Sequence, residues 1–161
     1  MFKFFKKKHE PILFSPIEGK CIPIEQVPDQ VFAKKMMGEG IAFIPASNQV
    51  FAPCDATVSM IASTHHAIGL INEDGVEILI HIGLDTVNYQ GKGFKVYVEK
   101  NERVKKGELL ITFDKDFFES ENVSLITPMI ITNYRQFRLD YLKQDENVTE
   151  ADVVLRYEKI S

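Results

Sequence analysis

Short apolar stretches rich in Val, Ile, Phe and Thr recur along the chain after Pro11, and turn-forming residues separate them. The separating segments, such as 45–48, 72–75 and 91–93, are rich in Pro, Asn, Asp and Gly. The pattern predicts strands over Ile41–Ile44, Ala56–Ile61, Ile68–Ile71, Val76–Ile82, Lys95–Val98 and Leu109–Phe113. Strands this short and frequent favour an all-β fold, an antiparallel β-sandwich or barrel.

Helical patterns are confined to two short segments, Lys115–Asn122 and Asn133–Leu142. We therefore expect short helical turns and no alternating βαβ sheet. With 161 residues, 45% of them hydrophobic, the chain suits a single domain. We expect that domain to span residues 11–161, after a tail formed by residues 1–10.

The tail opens with the basic and aromatic sequence MFKFFKKK, residues 1–8. Such a segment can contact an anionic membrane surface, with its rings inserted and its lysines near the headgroups. It can equally be a soluble tail. The residues alone leave both interpretations open.

Composition excludes several functional classes. The net charge of −4 gives no electrostatic case for binding nucleic acid. Cys21 and Cys54 fit neither a disulfide framework nor a paired-cysteine zinc motif. No apolar run approaches the roughly 18 residues that cross a bilayer, and no secretory signal pattern is visible. We therefore expect a cytoplasmic protein with reduced thiols.

The histidines are the main candidates for chemistry. The turn at 72–75 is predicted to fold segment 68–71 against 76–82, which brings His66 close to His81. Period-two alternation sends Ile78, Ile80 and Ile82 into the core and His81 outward. Two neighbouring neutral imidazoles suit phosphoryl transfer, in which one attacks phosphorus and the other donates hydrogen bonds. A structural histidine bonded to a backbone carbonyl is the alternative.

Motifs for other chemistry are absent. The chain has no P-loop, no His-Glu-x-x-His zinc motif and no Gly-x-Ser-x-Gly nucleophile elbow. It also lacks the modifiable-lysine context of biotinyl and lipoyl carriers. The His-x-His ligand pair of lysostaphin-like zinc peptidases is missing as well.

Residues 75–87, Gly-Val-Glu-Ile-Leu-Ile-His-Ile-Gly-Leu-Asp-Thr-Val, resemble the active-site signature of the glucose-family enzyme IIA proteins. These belong to the bacterial phosphoenolpyruvate-dependent sugar phosphotransferase system. The resemblance continues through 27–40, 88–94 and 104–110, and Thr64–Ala67 resembles the family's second-histidine motif. It covers roughly residues 11–155 and implies the family's antiparallel β-sandwich.

The resemblance implies a role for each matching residue. His81 would accept the phosphoryl group through Nε2, His66 would support that group, and Thr64 would orient His66. The expected partner-binding residues are acidic or apolar and surround the histidines: Asp29, Val31, Phe32, Met36, Met37, Leu79 and Asp85. Gln30 and Ala62 depart from the larger apolar residues of better-studied members, so the partner surface is expected to differ there.

The function implied by the resemblance is that of a phosphocarrier. It would take a phosphoryl group from the histidine-containing phosphocarrier protein and pass it to a IIB domain of a sugar permease, without a cofactor. The alternative is a regulatory protein whose unphosphorylated form binds transporters or metabolic enzymes. In that case His66 and His81 would supply two ligands to a zinc site completed by a partner carboxylate.

Overall fold

The computed structural model describes residues 10–160, which form strands joined by short helical segments. The helices are α1 (Gln30–Ala33) and α2 (Lys115–Ser120), and 3-10 turns span Ile24–Gln26, Thr86–Tyr89 and Tyr134–Gln136. The strands are β1 (Ile12–Phe14), β2 (Gly19–Pro23), β3 (Glu39–Pro45), β4 (Gln49–Phe51), β5 (Ala56–Ile61), β6 (Ala67–Asn72), β7 (Glu77–His81), β8 (Phe94–Val96), β9 (Arg103–Val104), β10 (Leu109–Phe113), β11 (Thr127–Ile131), β12 (Phe137–Tyr141), β13 (Glu146–Val148) and β14 (Val153–Lys159).

The strands pair antiparallel in three sheets. The largest has the order β13-β2-β3-β11-β7-β6-β5-β9, and the others are β1-β14-β12 and β4-β10-β8. Buried residues from all three sheets, for example Leu13, Ile80 and Leu110, share one hydrophobic core. The predicted all-β, antiparallel, single-domain fold is therefore confirmed.

The helix predicted over Asn133–Leu142 is wrong. A 3-10 turn is followed there by β12, which pairs with β14 and places Leu139 opposite Tyr157. The physical reason is the spacing of Phe137, Leu139 and Tyr141, which recur at every second position as in a strand. The predicted helix at Lys115 is present as α2, where the Asp114 carboxylate accepts a hydrogen bond from the Phe117 backbone N–H at 3.0 Å.

Two hydrophobic clusters lie on opposite faces of the large sheet. On β7, Ile78 and Ile80 enter the shared core, called here the main core, as the alternation predicted. Leu79 points the other way and packs against a smaller group beneath α1. This outer cluster consists of Ile22, Ile24, Val27, Phe32, Ala42, Leu84 and Ile130.

The predicted membrane contact of residues 1–8 falls outside the described residues and stays a prediction. Among residues 10–160, none of the helices has the length and apolar character needed to cross a bilayer.

Candidate active site

His66 and His81 meet where two paired strands end. His66 directly precedes β6, and Ala67 at the start of that strand lies opposite His81 at the end of β7. The Ile82 backbone N–H donates to the His66 carbonyl at 2.7 Å, which fixes the two ends together. The ring centroids are 4.8 Å apart and the rings are nearly perpendicular, at 79°. The predicted proximity of the two histidines is thus observed.

The tautomer of His81 follows from its hydrogen bond. Nδ1 lies 2.8 Å from the Gly83 carbonyl oxygen. Because a carbonyl can only accept, Nδ1 carries the proton and Nε2 keeps its lone pair. Nε2 is therefore the ring nitrogen of His81 that is able to act as a nucleophile.

The turn that presents the Gly83 carbonyl to His81 requires a glycine at this position. Its φ is +80°, and an added Cβ would lie 2.5 Å from Thr86 Cγ2 and 2.9 Å from the Ser124 carbonyl oxygen. The buried Thr86 hydroxyl donates to the Ile82 carbonyl at 2.5 Å and secures the same turn. The sequence pattern predicted no role for Gly83 or Thr86. The one local signal is the glycine two positions after a candidate histidine, and it does not by itself show which atom the carbonyl would contact.

His66 is oriented by Thr64, whose Oγ1 lies 2.6 Å from Nδ1. When the hydroxyl donates this hydrogen bond, Nε2 carries the ring proton and can donate to an oxygen bound at His81. The neighbouring His65 is exposed, with a left-handed φ of 60°. The fold therefore brings His66, rather than His65, to His81.

Burial keeps both imidazoles neutral near pH 7. Desolvation lowers the pKa of His66, and the nearby His81 lowers it further. Desolvation also lowers the pKa of His81, although the Gly83 carbonyl and the carboxylates of Asp29 and Asp85 act in the opposite direction. A neutral ring is the form that can attack phosphorus.

Asp29 and Asp85 lie on separate elements, and both are close enough to His81 to act on its pKa. The Asp29 carboxylate caps α1 by accepting from the Val31 backbone N–H at 2.9 Å. Asp85 has a left-handed φ of 63° and precedes the 3-10 turn at Thr86–Tyr89. Their negative charges disfavour a phosphoryl group on His81, so they suit contact with a basic partner surface better than support of the phosphate.

The apolar residues predicted to bind partners differ in their exposure to solvent. Val31, Met36 and Met37 are exposed, Met36 by 71%, whereas Leu79 is half-buried. Phe32 is only 4% exposed, and its ring centroid lies 5.0 Å from that of His81. Phe32 therefore lies within the outer cluster with its ring against His81, and its contact with a partner stays a prediction.

No group of three or more His, Cys, Asp or Glu side chains within residues 10–160 is arranged to hold a metal ion. A zinc ion at His66 and His81 would therefore need further ligands from a partner.

Comparison with known proteins assigns the family. Residues 11–137 match the family described as phosphoenolpyruvate-dependent sugar phosphotransferase system, EIIA 1. The chain belongs to this family. It is accordingly a phosphotransferase component that acts through a phosphohistidine.

Individual relatives agree with this assignment. The chain is 43% identical over 151 residues, or 94% of its length, to the PTS system glucose-specific EIICBA component of Staphylococcus saprophyticus. It is 51% identical over 123 residues, or 76% of its length, to the glucose-specific EIIBCA component of Corynebacterium glutamicum. The chain spans 22% of the first relative and 18% of the second.

A solved structure shows the same fold. The glucose permease IIA from Mycoplasma capricolum matches with a TM-score of 0.85 and 34% sequence identity, over 94% of this chain and 98% of that one.

Proposed function

We propose that His81 is the phosphoryl acceptor of this EIIA component. The observation that carries the proposal is the hydrogen bond between His81 Nδ1 and the Gly83 carbonyl, which leaves the Nε2 lone pair free. As the new Nε2–P bond forms, the donor's N–P bond breaks and the donor nitrogen keeps the electron pair. The proton stays on Nδ1, hydrogen-bonded to the Gly83 carbonyl, and the attacking Nε2 carries no proton, so His81 needs no general base.

His66 supports the phosphoryl group in this proposal. Its ring stands edge-on to His81 with centroids 4.8 Å apart, and its Nδ1 is hydrogen-bonded to the Thr64 hydroxyl. An Nε2–H group at that place can donate to the equatorial oxygens, where charge spreads in the transition state.

The partners we infer are the histidine-containing phosphocarrier protein as donor and a IIB domain of a sugar permease as acceptor. The named relatives combine EIIA with IIB and IIC components in one chain, which supports the IIB partner. Asp29 and Asp85 would meet basic residues of these partners, beside the exposed Val31, Met36 and Met37. The exchange would take place on the cytoplasmic side of the membrane and needs no cofactor.

The test is the intact mass of the chain after incubation with phosphoenolpyruvate, enzyme I and the phosphocarrier protein. We expect a gain of one acid-labile phosphoryl group that is lost in His81→Ala and kept in His65→Ala, a matched control at an exposed histidine. Phosphorylation of His81→Ala at the normal rate would exclude His81 as the acceptor.

Regulatory binding is a second candidate. It is favoured because Nδ1 of each histidine already has a hydrogen-bond partner within the chain. Thr64 and the Gly83 carbonyl leave only Nε2 of each histidine for a further ligand. Two such nitrogens can join a zinc site when a partner adds a carboxylate. Zinc-dependent capture of a partner by the unphosphorylated form, lost in His66→Gln, would support this role.

A further inference from the structure

The turn that follows α1 has an unusual residue at its tightest point. The Lys35 backbone N–H donates to the Phe32 carbonyl at 2.9 Å, and the Met36 N–H donates to the Val31 carbonyl at 3.0 Å. This is the Schellman pattern of hydrogen bonds, which ends a helix with one residue in the left-handed region. Glycine is the residue usually found there, but here Lys35 adopts a φ of 58°. Since the backbone favours glycine, any contribution of Lys35 must come from its side chain.

The Lys35 side chain joins three elements. Its Nζ lies 3.0 Å from Oε1 of Glu25, on the 3-10 turn Ile24–Gln26, and 3.4 Å from Oε1 of Glu39, at the start of β3. Both carboxylates raise the pKa of Lys35, most of all through the hydrogen bond that its ammonium donates to Glu25, so the ammonium is charged throughout the physiological range. The turn is thereby tied to the segments before and after it.

The turn bears two exposed methionines and directly follows α1, whose Phe32 ring lies against His81. Met36 is 71% exposed and Met37 is 41% exposed, directly after Lys35. On the other side, Gly38 lies so close to β11 that an added Cβ would be 2.5 Å from the Ile131 carbonyl oxygen. The two methionines are therefore held between the ion pairs of Lys35 and the backbone contact of Gly38.

We propose that Lys35 is a positioning residue that clamps this turn and so presents Met36 and Met37 to the phosphoryl donor. The inference rests on the proposed function of His81, and it adds a determinant of partner affinity that does not touch the reacting atoms. A surface that is ordered before binding loses less entropy when the complex forms. The clamp acts on affinity, since its ion pairs join Lys35 to Glu25 and Glu39 and not to the histidines that carry out the transfer.

The test compares three variants. Lys35→Gly keeps the left-handed backbone but removes the ion pairs, and Lys35→Arg keeps the charge. Lys34→Gln is the matched control, because Lys34 is exposed and has no ion pair within residues 10–160. Steady-state transfer from the phosphorylated phosphocarrier protein gives KM and kcat, and thermal unfolding checks that each variant is folded.

We expect Lys35→Gly to raise KM about three- to fivefold while kcat stays within about twofold, the size of effect that a small ion-pair network supports. Lys35→Arg should restore KM, and Lys34→Gln should leave it unchanged. An unchanged KM in Lys35→Gly overturns the proposal. An equal rise of KM in Lys34→Gln also overturns it, because KM would then depend on the loss of a positive charge and not on the ion pairs of Lys35.

Methyl NMR of Met36 and Met37 tests the clamp independently of activity. In Lys35→Gly we expect the Cε methyl groups to be more mobile and their chemical shifts to be averaged. In Lys35→Arg we expect the chemical shifts of the unaltered protein. Spectra identical to those of the unaltered protein overturn the clamp. If the unaltered protein accepts no phosphoryl group, the function of His81 fails, and the methyl spectra alone decide whether Lys35 orders the turn.

Discussion

The main core and the outer cluster lie on opposite faces of one sheet, and neighbouring residues of the same strands contribute to each. On β7, Ile80 belongs to the main core and Leu79 packs on the outer cluster. On β3, Phe43 and Ala42 divide in the same way. The main core joins all three sheets, whereas the outer cluster is covered by α1 and a 3-10 turn.

The two clusters have different roles: the main core accounts for stability, and the outer cluster accounts for the geometry around His81. Burial of the main core holds the sheets together and involves neither histidine. The outer cluster is small, yet its Phe32 ring contacts His81. We therefore expect damage to the main core to unfold the protein, and damage to the outer cluster to misplace the active site.

The largest expected effect comes from a charge in the main core. Ile80→Asp should prevent folding, because an unpaired buried carboxylate costs about 5 kcal/mol or more. Leu79→Asp, one residue along, should stay folded because that position is half-buried on the outer face. Circular dichroism and thermal unfolding measure both. A folded Ile80→Asp protein would contradict the assignment of faces.

Two phenylalanine substitutions sharpen the comparison. Phe43→Ala in the main core and Phe32→Ala in the outer cluster should each reduce the free energy of unfolding by about 3 kcal/mol. Only Phe32→Ala should also slow phosphoryl acceptance, roughly tenfold to hundredfold, because His81 loses its supporting ring. Urea titration and rapid-mixing phosphorylation are the two measurements. Equal rates in the two variants would show that Phe32 serves packing alone.

The next effect lies within the active site. His66→Gln should still accept a phosphoryl group but pass it to a IIB domain roughly a hundredfold more slowly, since the glutamine amide, unlike an imidazole, cannot take up a proton and become a charged donor to the phosphoryl oxygens. The measurement is the loss of phosphate from the labelled variant after mixing with the IIB domain. His65→Gln should transfer at the normal rate. Transfer at the normal rate by His66→Gln would show that His66 does not support the phosphoryl group.

The smallest expected effect is on stability in acid. Burial lowers the pKa of His66 and His81 in the folded protein, so the unfolded chain binds more protons as pH falls below about 6.5. Their contribution to stability is therefore present at neutral pH and is lost as pH falls through the folded pKa values.

Urea titrations at about pH 7.5 and about pH 5 measure this loss. The double variant His66→Gln/His81→Gln should lose less stability between the two conditions than the unaltered protein. An equal loss would assign the acid sensitivity to other groups.

Much of the site could be predicted from local pattern. Alternation within segment 76–82 placed the isoleucines inside and His81 outside, and the turn at 72–75 predicted that His66 lies beside it. Period two also identifies β12, but the helical interpretation of Asn133–Leu142 missed it. Pairing with β14, distant in the chain, is what stabilises that segment as a strand.

The sequence by itself determined the strand-rich fold class, the pairing of the two histidines and, through the resemblance, the family. These depend on residue spacing within short segments, which local geometry converts directly into a face or a hairpin. Tertiary structure alone decided that Gly83 sets the tautomer of His81, that Phe32 is buried beneath it, and that Lys35 joins Glu25 to Glu39. Each of these depends on side chains, turns or strands brought together in three dimensions, and neither residue spacing nor alternation encodes such contacts.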